Sequence, residues 1–345
     1  MSNECSRSPV TPHLRDNPSL PPPSSTGLGR LAYRLYFRPR TWLGDQRDSF
    51  LRQRGDRAMR TAAALLGPLP LPPASADALP CRFLTGARFV HQTVFCARSF
   101  EWACGTHCNI EIFSDGTLQP EHAELFRRAF RGVLIHDDRT TAARLDQVLP
   151  RARFPLLRVM RDRTPLVRKI VDLHAGLRGP SLTLDSDMLL FRPPTVLMDW
   201  MAHPRQEYYM SQGADALVTD RRSLEEIFGA VLSPGVNSGI VAIDDDAIDW
   251  DDLERTAAAL TEEQRRHLWA EQTLIAYHVS RRGARPLPTA DYRLCNSRAD
   301  LTGALPVLRH YVHKAKAAYA ASEWRMWLNL SSTMASASRP KGRPA

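Results

Sequence analysis

Short apolar runs alternate with longer amphipathic segments through the middle of the chain. The runs have the length of buried strands and end in Gly, Asp or Ser, whereas the segments between them have the length and spacing of helices. This alternation predicts an α/β domain with a mostly parallel central sheet, in which ligands bind at the carboxyl ends of the strands. The predicted strands are residues 81–86, 109–113, 132–136 and 181–191, and the predicted helices are residues 89–102, 120–130 and 166–177.

The pattern becomes less regular after residue 191, and no internal repeat is present. Apolar runs there are still short enough to be strands, and two longer segments keep helical spacing. The predicted strands are residues 207–210, 216–219, 236–243 and 307–312, and the predicted helices are residues 251–260 and 261–279.

The two ends of the chain differ in composition from its body. The N-terminal Pro- and Ser-rich segment and the basic C-terminal tail are both predicted to be disordered. A helical extension with a break at residues 38–40 and a Pro-rich linker precede the body. The extension would pack on the main domain, which we favour, or lie on an anionic membrane surface. The predicted divisions are disordered residues 1–27, the extension 28–66, the linker 67–80, the main domain 81–328 and the tail 329–345.

The net charge of +9 belongs mainly to the ends, since residues 1–80 contain eleven Arg against six Asp or Glu. The body is nearly neutral, so we do not expect specific binding of nucleic acid. No apolar run has the length of a membrane-spanning helix, and the N-terminal segment lacks the apolar core of a signal peptide. The scattered cysteines therefore predict free thiols in a cytoplasmic protein, at the inner membrane face if the extension binds lipid. Cys104, His107 and Cys108 lack a second ligand pair, so we interpret them as structural.

The most informative stretch is residues 181–191, in which Asp185 and Asp187 stand within apolar sequence. Charges in such a place are costly unless they are paired or bind a metal ion. An Asp-x-Asp pair at a strand end can offer two oxygen ligands to Mg²⁺ or Mn²⁺, and a loop or capping role is the alternative. The same pattern recurs twice within residues 244–251, where a dense acidic run indicates a solvated turn and a helix start.

Four motifs follow one another along the chain: LTLDSDMLL, VNSGIVAI, AEQTLI and HYVHKAK. In this order the chain resembles the GT-A-fold, nucleotide-sugar-dependent glycosyltransferases of the family-8 type, such as glycogenin and bacterial lipopolysaccharide galactosyltransferases. The motifs are similar to the family's Asp-x-Asp strand, its Asn-Ser-Gly strand, its Asp-Gln-Asp helix start and its His-Phe-x-Gly-x-x-Lys segment. The resemblance spans residues 81–328 and implies a Rossmann-like nucleotide-diphospho-sugar transferase fold.

The resemblance also implies a metal-dependent hexosyltransferase in which Asp185, Asp187 and His310 bind a divalent ion. An imidazole beside carboxylates suits Mn²⁺ better than Mg²⁺, although His310 read alone would be a hydrogen-bonded histidine at a strand edge. The donor would be a nucleoside diphosphate sugar, the acceptor a glycan, lipid or protein, and the anomeric configuration would be retained. The residues implied at the nucleotide and diphosphate are Lys316, Lys169 or its neighbour Arg168, Thr85 and Ser186.

The sugar pocket implied by the resemblance involves the second and third motifs. Asn237 and Ser238 would line it, with Gly239 letting the backbone approach closely. Gln272 would lie near the anomeric carbon, and Glu271 would hold sugar hydroxyls. Read alone, the Asn-Ser-Gly sequence is equally typical of a turn or a bulge.

Several positions depart from the family pattern, and they leave the base of the nucleotide open. The first strand ends at Thr85 without an acidic residue, Thr273 replaces the last Asp of the third motif, and His313 replaces a glycine in the fourth. Two other functions stay open. A haloacid-dehalogenase-like phosphatase could use the same Asp-x-Asp with the later acidic run, and a membrane-surface or scaffold protein could use the basic ends.

Overall fold

The computed structural model describes residues 38–337, so the predictions for residues 1–37 and 338–345 lie outside the described part of the chain. The chain divides into two units, residues 1–51 and residues 52–345. Only a helical stretch of the first unit is described, whereas the second unit contains the sheets and the candidate site. Within residues 38–337, no helix is both long enough and apolar enough to cross a membrane.

Several helices begin where the sequence supplies a capping side chain. Asp137, Asp220 and Asp249 each accept a hydrogen bond from a backbone N–H in the first turn of the helix that follows. The helices are α1 (Arg38–Leu65), α2 (Val90–Cys104), α3 (Pro120–Ala129), α4 (Asp138–Val148), α5 (Pro155–Arg163), α6 (Arg168–Val171), α7 (Thr195–Ala202), α8 (Arg221–Phe228), α9 (Trp250–Ala259), α10 (Glu262–Arg266), α11 (Ala270–Arg281), α12 (Ala315–Ala318) and α13 (Trp324–Ala337).

The strands form a seven-stranded sheet in the order β3-β2-β1-β4-β7-β6-β8 and a three-stranded sheet in the order β5-β10-β9. Of the seven, β7 alone is antiparallel to both of its neighbours, so the other six share one direction. The predicted α/β fold with a mostly parallel central sheet is therefore confirmed. The strands are β1 (Pro80–Thr85), β2 (Asn109–Ser114), β3 (Leu134–His136), β4 (Pro180–Leu184), β5 (Met188–Leu190), β6 (Tyr208–Ser211), β7 (Val236–Asp244), β8 (Arg285–Pro286), β9 (Tyr292–Cys295) and β10 (Leu308–Tyr311).

The prediction of one strand over residues 181–191 is wrong. The segment is two strands in different sheets, because β4 pairs with β1 and β7 whereas β5 pairs with β10. The change of sheet takes place at Asp185-Ser186-Asp187, whose two charged side chains could not both be buried within a continuous apolar strand. This turn places both carboxylates at the carboxyl end of β4.

Other predicted elements also need correction. The helix predicted at residues 166–177 is much shorter in the structure. It consists of the 3₁₀ turn Pro165–Val167 and the one-turn helix α6. The turns that follow α6 end at Gly176, which has a φ of 72°. Residues 216–219 are not a strand, since the backbone N–H of Val218 donates to the side chain of Thr273 in α11. The helix predicted at residues 261–279 is two helices, α10 and α11, because the backbone is extended at His267.

The core consists of two apolar clusters, one on each face of the central sheet. Alternate residues of β7 enter different clusters: Ile240 and Ala242 belong to one, and Val241 and Ile243 to the other. Burial on both faces explains the nearly unbroken apolar sequence of this strand.

The part of α1 within the second unit packs against the first of these clusters. Met59 and Ala63 are fully buried there, and a Cβ at Gly55 would lie only 2.2 Å from the carbonyl oxygen of Ala320. For residues 52–65, this packing favours an extension that packs on the main domain over one that lies on a membrane surface. At the other end, α13 continues to Ala337, so the predicted start of a disordered tail at residue 329 lies inside a helix.

Candidate active site

Strand pairing brings the Asp-x-Asp turn against a histidine that is more than a hundred residues away in sequence. β5 and β10 are antiparallel with Met188 opposite His310, and the backbone N–H of Tyr311 donates to the carbonyl oxygen of Asp187 at 2.9 Å. The Nε2 atom of His310 lies 3.1 Å from Oδ1 of Asp187 and 3.8 Å from Oδ2 of Asp185. One ligand atom from each of these three residues lies within 4.8 Å of the others.

The three side chains fit a divalent metal ion. Two carboxylates and one imidazole form a donor set suited to Mn²⁺ and other first-row ions, whereas Mg²⁺ prefers oxygen ligands alone. His310 is buried, and its Nδ1 atom has no hydrogen-bond partner among the described residues. Burial acts to raise the pKa of Asp187, but His310 and Lys316 outweigh it and hold that pKa below the usual range, so the carboxylate is charged.

Both carboxylates already have a lysine partner. The ammonium of Lys169 lies 2.8 Å from Oδ1 of Asp185, and that of Lys316 lies 2.8 Å from Oδ2 of Asp187. The Lys169 side chain is 6% exposed and also donates to the carbonyl and hydroxyl oxygens of Ser238, whereas the Lys316 side chain is 32% exposed. The chain contains only four lysines, and two of them meet at this turn.

The second and third motifs meet beside Lys169. The hydroxyl of Ser238 donates to Glu271 at 3.0 Å, and the backbone N–H of Ser238 donates to the side-chain oxygen of Gln272 at 3.2 Å. Glu271 is buried, with Oε1 3.7 Å from the Lys169 ammonium. Burial raises the pKa of Glu271 to about 7; Lys169 opposes this shift and Asp185 adds to it.

Gly239 makes room for the imidazole. A Cβ at this position would lie 2.7 Å from Cε1 of His310, from Oδ1 of Asn237 and from Cε of Met188. Asn237 is fixed in turn, since its side chain donates to Gln212 and accepts from the N–H of Gly239. All three residues of the Asn-Ser-Gly motif belong to β7 and not to a turn. The register of the pairing with β6 shifts opposite them, between Tyr209 and Met210, so the strand pair is irregular at this motif.

The other residues expected at the donor occupy different places. Thr85 is buried, and its hydroxyl bonds that of Thr93, which bonds the hydroxyl of Ser186, so the three side chains link β1, α2 and the turn. Arg168 points to Asp138 and not to the turn. Of the two adjacent basic residues, Lys169 is therefore the one beside Asp185.

Sequence reasoning missed Thr93 and Gln212, which hold Ser186 and Asn237 in place. Neither lies in a recognisable motif, because their roles depend on contacts between elements that are distant in sequence. It also missed the geometry of His313, whose φ of 45° is in the left-handed region that favours glycine.

The later acidic run does not reach this site. Asp244 pairs with Pro180 at the opposite end of β4, and Asp245 is buried in contact with Arg82 and His174. Asp249 caps α9 and Asp246 lies exposed in a 3₁₀ turn, as the sequence indicates for this run. Asp245 is the exception, because its ion pair with Arg82 is buried. The Asp-x-Asp turn and the later acidic run therefore lie apart, whereas a dehalogenase-like phosphatase would need them in one site.

No other residues among those described form a comparable metal-ligand group. The thiols at Cys81, Cys96, Cys104, Cys108 and Cys295 are free, as predicted, and Cys5 lies outside the described residues.

The chain is only distantly similar to known proteins. No protein-family model and no curated protein matches the sequence. Among solved structures, the chain is similar to the galactosyltransferase LgtC in complex with donor and acceptor sugar analogues, at 16% identity and a TM-score of 0.48 over 77% of this chain and 98% of that one.

Two further similar structures are also glycosyltransferases. The bifunctional WbbM apo structure has 11% identity and a TM-score of 0.47 over 76% of this chain, which spans about half (52%) of that longer chain. Mouse xyloside xylosyltransferase 1 has 14% identity and a TM-score of 0.43 over 68% of this chain and 96% of that one. Similarity at this level does not show what this chain does.

Proposed function

We propose that this protein is a metal-dependent glycosyltransferase that moves a sugar from a nucleoside diphosphate sugar to a glycan, lipid or protein acceptor. The observation that carries the proposal is the cluster of Asp185, Asp187 and His310 at the carboxyl end of β4, with a partly exposed lysine beside it. Ligands bind at this edge in α/β sheets. A phosphatase is not favoured, because the second acidic run lies at the opposite end of β4.

The residues of the site divide into those that would hold the ion and the diphosphate and those that would contact the sugar. Asp185, Asp187 and His310 would hold the ion, for which we propose Mn²⁺, and Lys316 would contact the diphosphate as a point charge. When bound, such an ion neutralises negative charge that develops on the leaving diphosphate. Asn237, Ser238, Gly239, Glu271 and Gln272 are neighbours on β7 and α11 and would form the wall of the sugar pocket.

The reaction exchanges one bond at the anomeric carbon for another. The bond from that carbon to the diphosphate oxygen breaks, and a bond to an acceptor hydroxyl oxygen forms, through a transition state of oxocarbenium character. When the acceptor attacks the same face of the sugar from which the diphosphate leaves, the anomeric configuration is retained. The hydroxyl proton then passes to the departing diphosphate oxygen, so no dedicated base is needed. Glu271 is already hydrogen-bonded to Ser238, which fits a role in holding sugar hydroxyls more than one as a free base.

The test is release of nucleoside diphosphate from a panel of nucleotide sugars, with and without Mn²⁺. We expect at least one donor to be turned over only with the ion, and Asp187→Asn to abolish turnover while the protein stays folded. Asp251→Asn is the matched control, since Asp251 also belongs to an Asp-x-Asp but lies half exposed against Arg153. Equal turnover by the wild type and Asp187→Asn would overturn the proposal.

A further inference from the structure

We propose that Lys316 is a latch on Asp187, which opposes binding of a divalent ion alone and opens when Lys316 moves to a diphosphate. The inference rests on the proposed function and concerns the order in which this site fills. It makes the ion and the nucleoside diphosphate dependent on one another for tight binding.

The two lysines of the site are held very differently. Lys169 is buried and bonded to Asp185 and Ser238, with Glu271 close by, so it forms part of the wall. Lys316 is a third exposed and reaches Asp187 from the short helix α12 at the edge of the site. Its unbranched side chain can leave the carboxylate by rotations of its own bonds, without movement of the backbone.

The charges explain why this contact opposes the ion. Asp185 and Asp187 are balanced by the ammonium groups of Lys169 and Lys316, each at 2.8 Å. A divalent ion that enters this cluster alone would add positive charge next to a lysine that already uses Oδ2 of Asp187. A diphosphate removes the conflict, because it gives Lys316 a new anionic partner and frees the carboxylate.

Linkage then requires that the effect be mutual. If the diphosphate draws Lys316 away and thereby strengthens binding of the ion, the ion strengthens binding of the diphosphate by the same factor. Lys316 would therefore have two opposite effects: it weakens binding of the ion alone and strengthens binding of the complete donor.

The test measures Mn²⁺ affinity from the paramagnetic resonance signal of the free ion, without nucleotide and then with UDP, ADP or GDP. Lys316→Met keeps most of the apolar stem and removes the charge. We expect this variant to bind Mn²⁺ alone on the order of fivefold tighter than the wild type. A factor of this size corresponds to the loss of a competing ion pair that is among the stronger exposed pairs measured in proteins. Its gain in Mn²⁺ affinity on addition of nucleotide should be smaller.

Two variants control for charge and for general effects on the segment. Lys314→Met removes a charge from an exposed lysine two residues away and should leave Mn²⁺ affinity unchanged. Lys316→Arg keeps a cation at the position and should stay close to the wild type. Unchanged or weaker binding of Mn²⁺ alone by Lys316→Met, with normal binding by the wild type, would overturn the latch and leave the proposed function standing. If neither protein binds Mn²⁺ with or without nucleotide, the proposed metal site and the latch are both wrong.

Discussion

Lys169 and Asp185 form an ion pair of 2.8 Å that joins α6 to the turn after β4. The same ammonium bonds Ser238 of β7 and lies 3.7 Å from Glu271 of α11, so one buried lysine connects four parts of the site. Burial acts to lower the pKa of Lys169, but Asp185 and Glu271 outweigh it and raise that pKa, which keeps the ammonium charged. The candidate site is thus held together by charge as well as by strand pairing.

Removal of this lysine should destabilise the folded protein. Lys169→Met has a similar length but leaves Asp185 and Glu271 without their cation, and we expect the free energy of unfolding to fall by about 2–4 kcal/mol. Urea denaturation measures this change. Lys314→Met, at an exposed lysine, is the control and should change stability little. Equal stability of the two variants would show that the Lys169 ion pairs contribute nothing net to folding.

The left-handed backbone at His313 predicts an unusual effect of glycine. His313→Gly should be neutral or should stabilise by up to about 1 kcal/mol, because a residue with a Cβ is strained at a φ of 45°. Lys314→Gly is the matched control: its φ is −72°, so glycine there should destabilise by about 0.5–1 kcal/mol. Thermal denaturation of both variants compares them, and an equal loss from both would contradict a left-handed His313.

The close approach at Gly239 predicts a loss of metal binding from a single methyl group. Gly239→Ala would place a Cβ 2.7 Å from Cε1 of His310, so the imidazole must move. We expect Mn²⁺ affinity to fall about tenfold or more, as for loss of a supporting contact to a ligand. Gly213→Ala is the control, since a Cβ there meets no atom within 4 Å. If Gly239→Ala binds Mn²⁺ as the wild type does, the fit of Gly239 against His310 is not needed.

Glu271 predicts a specific dependence of stability on pH. Its pKa is about 7 in the folded protein against 4.5 for an ordinary glutamate, so the folded state binds the proton more tightly. The resulting stability is complete below pH 4.5 and is lost as the pH rises through 7. Glu271→Gln cannot titrate, so its stability relative to the wild type should rise by about 3 kcal/mol between these limits. Urea denaturation across this pH range measures the difference, and a constant difference would contradict the shifted pKa.

Much of the fold was predictable because apolar runs mark strands and amphipathic spacing marks helices. The runs that became β1, β2 and β7 are bounded by turn residues, and the predicted limits differ from the observed ones by at most one residue. The run over residues 181–191 was misread because β4 and β5 are both apolar and only the two aspartates separate them. The short strands β8 and β9 carry no clear alternation, and β8 pairs with β6, which is distant in sequence.

The candidate site could be predicted in its residues more than in its contacts. Asp185, Asp187 and His310 were expected together from the resemblance, and the pairing of Met188 with His310 is the physical reason that they meet. The pairing of each carboxylate with a lysine could not be predicted, because the sequence gives no distance between residues 169 and 185 or between residues 187 and 316. The left-handed conformation of His313 likewise has no signature in a histidine.

The most direct test of the account is thermal stabilisation by Mn²⁺ and a nucleoside diphosphate, added singly and together, in the wild type and in Asp187→Asn. Stabilisation follows the logarithm of ligand saturation and reaches about 2.7 kcal/mol at a hundred times the dissociation constant. We expect a large increase in the melting temperature of the wild type only when both ligands are present, and none in a folded Asp187→Asn variant. Equal stabilisation of the two proteins, or stabilisation of the wild type by the nucleotide to the same extent without Mn²⁺, would contradict a metal–diphosphate site at Asp185, Asp187 and His310.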